Sequence, residues 1–171
     1  MNTTQVLNNL YFKRRQKAIA RYATQAEVIQ RRVLNKLLRA ARKTEWGKAH
    51  NYDGTESYEE YVRNVPVNTY EELKGYIQRM REGEANVLWK GRVRWYAKSS
   101  GTTNDKSKFI PVSKDGLKKI HYKGPEDCVS CYLKINPKSN LLRGKSLILG
   151  GSHTPNLNTP KSLVGDLSAI L

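Results

Sequence analysis

Apolar positions recur at helical spacing through the first half of the chain and give way to strand-like runs near residue 90. Val6, Leu7, Leu10, Ile19 and Tyr22 return at roughly three- and four-residue steps among Lys and Arg, which predicts a helix over residues 4–22. Thr24 followed by Glu27 is a capping-box pattern and predicts a fresh helix start. The helix it opens carries Val28, Leu34, Leu37, Leu38 and Ala41 on one face. Ser57 with Glu60 and Thr69 with Glu72 repeat the capping pattern. The last of these helices shows Leu73, Ile77 and Met80 and is predicted to stop at Gly83. Between helices, Gly47 is expected to allow a turn and Trp46 to anchor it in the core.

Beyond residue 90 the pattern changes. Val93 to Lys98 is aromatic and β-branched and reads as a strand, with Trp95 and Tyr96 on opposite faces. Phe109 to Val112 reads as a second strand, and Pro111 assigns it to an edge or a strand end. Ser113 is expected to cap a helix whose apolar stripe runs through Leu117, Ile120, Cys128, Cys131, Tyr132 and Ile135. Gly124-Pro125 predicts a kink in it, or a division into two shorter helices. Ser146 to Leu149 reads as a short buried strand, and residues 150–155 as a loop. The expected fold class is α/β: a helical region over 1–90, then the first strands of a mixed sheet over 91–171.

Charge changes the picture next. The net charge is +16, unevenly spread: +10 over residues 1–43, −3 over 44–90 and +9 over 91–171. Such a balance suits nucleic acid, an anionic membrane surface or a polyphosphate ligand. It also suits a chain whose acidic remainder lies elsewhere, and the apolar ending from Val164 to Leu171 predicts an N-terminal fragment of something longer. The Lys and Arg residues surround the helices and no zinc-finger, RNP or homeodomain pattern accompanies them, so a nucleic-acid-binding module is the weaker reading. No apolar run reaches membrane-spanning length, and residues 1–17 lack a secretory pattern, so a cytoplasmic protein is expected. Cys128 and Cys131 form a C-x-x-C, but they fall on the apolar stripe and read as core residues rather than redox or zinc ligands. His153, in the glycine-bearing loop, reads as a surface residue.

The chemistry concentrates in Ser99-Ser100-Gly101-Thr102-Thr103-Asn104-Asp105-Lys106-Ser107-Lys108, between the two predicted strands. Half of these residues are Ser or Thr. Turn amides converge on anionic oxygens, hydroxyls donate further bonds, and Gly101 lets the backbone approach closely. Lys106 or Lys108 offers a point charge for terminal phosphates. Taken alone, the composition also suits a solvated hairpin loop. A P-loop of the nucleotide-hydrolase type is excluded. The only Gly-Lys-Ser, at 144–146, leads toward a predicted strand, and Ser139 stands where that motif needs its first Gly.

Ser99-Ser-Gly-Thr-Thr103 with Lys108 resembles the Ser-Ser-Gly-Thr-[Ser/Thr]-x4-Lys signature of the Gretchen Hagen 3 family of acyl acid amido synthetases. Thr44 to Lys48, Val65-Pro-Val before Tyr70-Glu-Glu-Leu73, and Gly150-Gly-Ser152 look like bacterial members of that family. The resemblance implies part of the large N-terminal domain of an adenylate-forming enzyme. It implies ATP and Mg²⁺ as cofactors, and a carboxylic acid and an amino acid as small-molecule partners, without nucleic acid or membrane. Ser99, Ser100, Gly101, Thr102 and Thr103 would hold the phosphates, and Lys108 would be the catalytic cation. The implied reaction is acid activation through an acyl-adenylate and transfer to an amino acid, with acyl-CoA ligation as the alternative within the superfamily. Metal- and ribose-binding signatures and a C-terminal domain would lie beyond residue 171. The 171 residues alone are therefore expected to be inactive.

Overall fold

The computed structural model describes residues 3–99, 107–145, 147 and 149–170. They form two compact units: Met1–Gln30 with Asp115–Leu149, and Arg31–Lys114 with Gly150–Leu171. The helix Tyr22–Ala41 contributes residues to both.

In the first unit, helices Thr3–Leu7 and Lys13–Ala20 flank a π-helical turn, Asn8–Phe12. Helix Lys13–Ala20 packs against helix Lys123–Ile135. Polar side chains set that register. Arg15 grips the Asp127 carboxylate with two nitrogens and donates to the Tyr22 hydroxyl at 3.1 Å. Gln16 donates to the Ser130 carbonyl at 3.0 Å and to Asn8 Oδ1 at 3.2 Å. Thr4, Asn8, Ser130 and Leu133 are the buried side chains.

This arrangement turns the predicted apolar stripe outward. Ile120 is 72% and Ile135 79% exposed, and Cys128 and Cys131 are both free and exposed. The core reading of the two cysteines is therefore corrected. The reason is that the face bearing Asp127, Ser130 and Leu133 is the one held inward: Arg15 grips the Asp127 carboxylate, Gln16 reaches the Ser130 backbone carbonyl, and Leu133 is buried. The interruption predicted at Gly124-Pro125 lies slightly earlier, in the π-helical turn Leu117–His121, where Tyr122 N–H donates to the Leu117 carbonyl at 2.9 Å. Pro125 then sits in the first turn of the following helix, where its missing N–H costs no hydrogen bond. A break falls where Thr24 and Glu27 predict a fresh start: the span Tyr22–Ala41 joins two helices across a kink at Gln25, which departs from helical geometry at φ −132°, ψ 24°.

In the second unit, both later capping boxes form as predicted. Ser57 and Glu60 open helix Tyr58–Asn64, and Thr69 and Glu72 open helix Tyr70–Arg81. The latter ends before Gly83, whose φ of +97° explains a glycine there. Gly47 is not a turn residue. It lies inside the short helix Glu45–Ala49, capped by Thr44, and a Cβ on it would meet the Ala41 carbonyl oxygen at 2.2 Å. Trp46 is half-buried and meets the tilted His50 ring and, edge to face, the Tyr76 ring, with centroids 4.1 and 5.4 Å away.

Among the described residues the sheet has three strands, with Trp95–Lys98 between Phe109–Val112 and Leu163–Gly165. Strand β1 (Trp95–Lys98) pairs antiparallel with β2 (Phe109–Val112) and parallel with β3 (Leu163–Gly165), giving a mixed sheet. Pro111 does lie on an edge strand, opposite Tyr96. The core joins Ile77, Met80, Val87, Val93, Tyr96 and Val164, and Tyr70, Leu73 and Phe109 pack against it. Tyr96 is fully buried and donates to the Val93 carbonyl at 3.1 Å, and burial pushes its phenol up to about 12. The expected strand at 146–149 is not formed by its described residues: Leu147 and Leu149 are 90% and 87% exposed and have no sheet partner. Strand β3 takes the third place instead, because its backbone reaches β1 in parallel register.

Candidate functional site

The β1–β2 hairpin carries the Ser/Thr-rich segment at its end. The last strand pair, Lys98 opposite Phe109, brings Ser99 and Lys108 face to face. Ser99 N–H donates to the Lys108 carbonyl at 3.0 Å, and Lys108 N–H donates to Ser99 Oγ at 3.1 Å. The stem is thus closed on one side by backbone and on the other by a side chain. Ser99 Oγ acts there as an acceptor, which leaves its own proton to donate elsewhere. Ser100, Gly101, Thr102 and Thr103, the other candidate phosphate ligands, lie outside the described residues, as do Asp105 and Lys106.

Two residues outside the motif shape the base of this hairpin. Tyr70, the first residue of its helix, accepts the Phe109 N–H on its hydroxyl at 3.0 Å. The same ring lies 5.6 Å from Lys108 Nζ, a cation–π contact. Arg81, from the other end of that helix, lies over the Phe109 ring at 3.8 Å and donates to the Leu157 carbonyl at 2.9 Å. Arg81 Nε is buried without a hydrogen-bond partner. Neither residue was legible as part of the site. Tyr70 reads locally as one more first-turn residue after a cap, and Arg81 as a last-turn cation suited to the helix dipole.

Electrostatics favour an anion here. Among the described residues, no carboxylate pairs with Lys98, Lys108 or Arg81. By contrast, Arg79 on the same helix is neutralised by Glu45 and Glu84, at 2.5 Å each. Its guanidinium hydrogen bonds hold both carboxyls below the usual carboxylate range. A cleft of about 290 Å³ lies elsewhere in this unit, between Asn35, Arg39 and Arg42 on one side and Tyr52, Asp53 and Glu56 on the other. Its opposed charges partly neutralise each other, with Arg42 3.6 Å from Asp53, and it contains no residue of the Ser99–Lys108 segment. His153 is exposed beside Trp95, with ring centroids 6.1 Å apart, as expected of a surface histidine. No three His, Cys, Asp or Glu side chains converge as a metal site among the described residues. No described helix is long and apolar enough to cross a membrane.

The described residues join capped helices to a three-stranded mixed sheet, a fold they share with solved acyl acid amido synthetases. The chain is similar to the solved structure of the GH3.15 acyl acid amido synthetase, with a TM-score of 0.66 and 24% identity, covering 84% of this chain and 25% of that one. It is also similar to AtGH3.15 in complex with 2,4-DB, with a TM-score of 0.63 and 25% identity, covering 82% and 24%. The GH3 family N-terminal domain matches residues 15–165, and the chain belongs to the GH3 family. Among curated relatives, the indole-3-acetic acid-amido synthetase GH3.6 of Arabidopsis thaliana is 32% identical over 95 residues, 55% of this chain and 16% of its own length. The jasmonoyl–L-amino acid synthetase JAR6 of Nicotiana attenuata is 31% identical over 86 residues, 50% and 15%. The chain thus spans about one sixth of the curated relatives it matches. These relatives are plant enzymes and lend no support to the expectation of a bacterial-type member.

Proposed function

We propose that this chain is the phosphate-binding part of an ATP-dependent acid–amino acid ligase. In the intact protein, a carboxylate oxygen attacks the α-phosphorus of ATP. An acyl-adenylate forms and pyrophosphate leaves. The amine of an amino acid then attacks the acyl carbon, the bond to AMP breaks, and an amide results. No covalent enzyme intermediate is needed, so the protein's work is positioning and neutralisation of charge.

The observation that carries the reading is the meeting of Ser99 and Lys108 at the stem of a hairpin where, among the described residues, no carboxylate pairs with Lys98 or Lys108. In this proposal Ser99, Ser100, Thr102 and Thr103 donate hydrogen bonds to phosphate oxygens. Gly101 admits close approach of the backbone, and Lys108 offsets the charge of departing pyrophosphate. The names of the relatives, amido synthetases acting with indole-3-acetic acid or forming jasmonoyl–amino acid, support a carboxylic acid and an amino acid as the substrates. Residues 1–90 then serve as the helical region of the adenylation domain and 91–171 as the start of its sheet, in a cytoplasmic enzyme. Magnesium would accompany the triphosphate. The described residues supply no ligand set for it, so no step is assigned to the ion.

The test is ATP–pyrophosphate exchange with the intact protein. Lys108→Ala should lower the rate about 100-fold, the order seen when one charge-stabilising group is lost. An unchanged rate removes Lys108 from its role.

A further inference from the structure

We infer that Tyr70 is a positioning residue for Lys108, holding both the backbone beside it and its ammonium group. The inference rests on the ligase reading above. Three observations carry it. The Tyr70 hydroxyl accepts the amide proton of Phe109, the residue directly after Lys108, at 3.0 Å. The Tyr70 ring lies 5.6 Å from Lys108 Nζ, within cation–π range. The ring itself is fixed, because it packs against the buried cluster of Ile77, Met80 and Tyr96 and starts a helix held by the Thr69–Glu72 capping box.

Lysine has a flexible four-carbon stem and a point charge, so its direction is set by what it rests on. Lys108 is exposed, and among the described residues only Tyr70 gives its ammonium a contact. Arg81 completes the support from beneath by lying on the Phe109 ring at 3.8 Å. One helix therefore grips the residue after Lys108 at its amide and at its ring, and cradles the ammonium with the same tyrosine. A direction imposed before ATP arrives is worth more in rate than one found afterwards.

The experiment is a double-mutant cycle in ATP–pyrophosphate exchange with the intact protein, using Tyr70→Leu, Tyr70→Phe, Lys108→Ala and the Tyr70→Leu/Lys108→Ala pair. Tyr70→Leu should lower exchange about tenfold when Lys108 is present and have no further effect when it is absent. Tyr70→Phe keeps the ring and loses the hydroxyl, so it should cost about threefold, within the range of one hydrogen bond. Equal losses in both backgrounds would make Tyr70 merely structural and overturn the inference, as would an unchanged rate in Tyr70→Leu. If Lys108→Ala alone leaves exchange unchanged, the ligase reading fails, and the inference fails with it. A separate measurement uses the 171-residue chain. NMR should show the Lys108 ε-methylene protons shifted upfield by the Tyr70 ring current, kept in Tyr70→Phe and lost in Tyr70→Leu. An unshifted wild-type signal overturns the geometry whatever the enzymology gives.

Discussion

Ser99 and Lys108 exchange two hydrogen bonds, one through backbone alone and one through the serine hydroxyl. A strand pair normally closes with two backbone bonds. Here a side chain replaces one of them, at the first residue of the segment expected to meet phosphate.

That substitution makes Ser99 sensitive to a change that its exposure would not suggest. Ser99→Ala removes the acceptor for Lys108 N–H and should cost about 1 kcal/mol at the hairpin, the net worth of a typical hydrogen bond. Hydrogen exchange at the Lys108 amide is the direct readout. It should quicken in Ser99→Ala and stay slow in Ser99→Thr, which keeps the oxygen. Equal protection in wild type and Ser99→Ala would contradict the stem geometry.

Gly47 makes the opposite case, a residue with a simple local reading and a non-local purpose. Its added Cβ would stand 2.2 Å from the Ala41 carbonyl oxygen and 3.1 Å from Arg42 Cα, both backbone atoms that cannot swing aside. Gly47→Ala should therefore destabilise the second unit by about 3 kcal/mol, at the high end for overpacking. A helix propensity argument predicts the reverse, since alanine is the better helix former. Urea unfolding followed by tryptophan fluorescence decides between them, because Trp46 is adjacent.

Asp127 gives the first unit a dependence on acid. The Arg15 hydrogen bonds hold its carboxyl below the ordinary 3.8, and the same contact raises the Arg15 guanidinium. The unfolded chain thus protonates Asp127 more readily than the folded chain. The stabilisation is complete above the unfolded value and is lost as pH falls through the lower folded value. Asp127→Asn should cost about 1.5–3 kcal/mol near neutral pH, the range for hydrogen bonds to charged groups. The gap between wild type and variant should be flat above about pH 5 and should close on acidification below about pH 4. A gap that persists at pH 2 would assign the effect to shape and not to charge.

Cys128 and Cys131 are free and exposed. Both should react with a thiol reagent under native conditions, giving two equivalents before any unfolding. Replacing both with serine should change stability by no more than about 0.5 kcal/mol, as for other surface substitutions. Fewer than two equivalents would return the pair to the core.

Much of the local structure was written in the sequence. Ser57–Glu60 and Thr69–Glu72 both form capping boxes, Gly83 follows the helix end with positive φ, and Pro111 lies on an edge strand. Each signal depends on atoms within four or so residues, so no partner from elsewhere had to be guessed. The Ser99–Lys108 segment stands out in the sequence because its residue types are neighbours in the chain, and the fold adds that its two ends meet at the hairpin stem. Tertiary contacts decided the rest. The helix Lys123–Ile135 could have buried its apolar stripe, but the Arg15–Asp127 pair and Gln16 on the Ser130 carbonyl turned another face inward. The third strand came from Leu163–Gly165 and not from residues 146–149, since strand membership is settled by a backbone partner far along the chain. Tyr70 met Lys108 across 38 positions by the same route. Hydrophobic spacing states that a face is apolar. What covers that face depends on which distant donors and acceptors find each other, and only the folded chain brings those within reach.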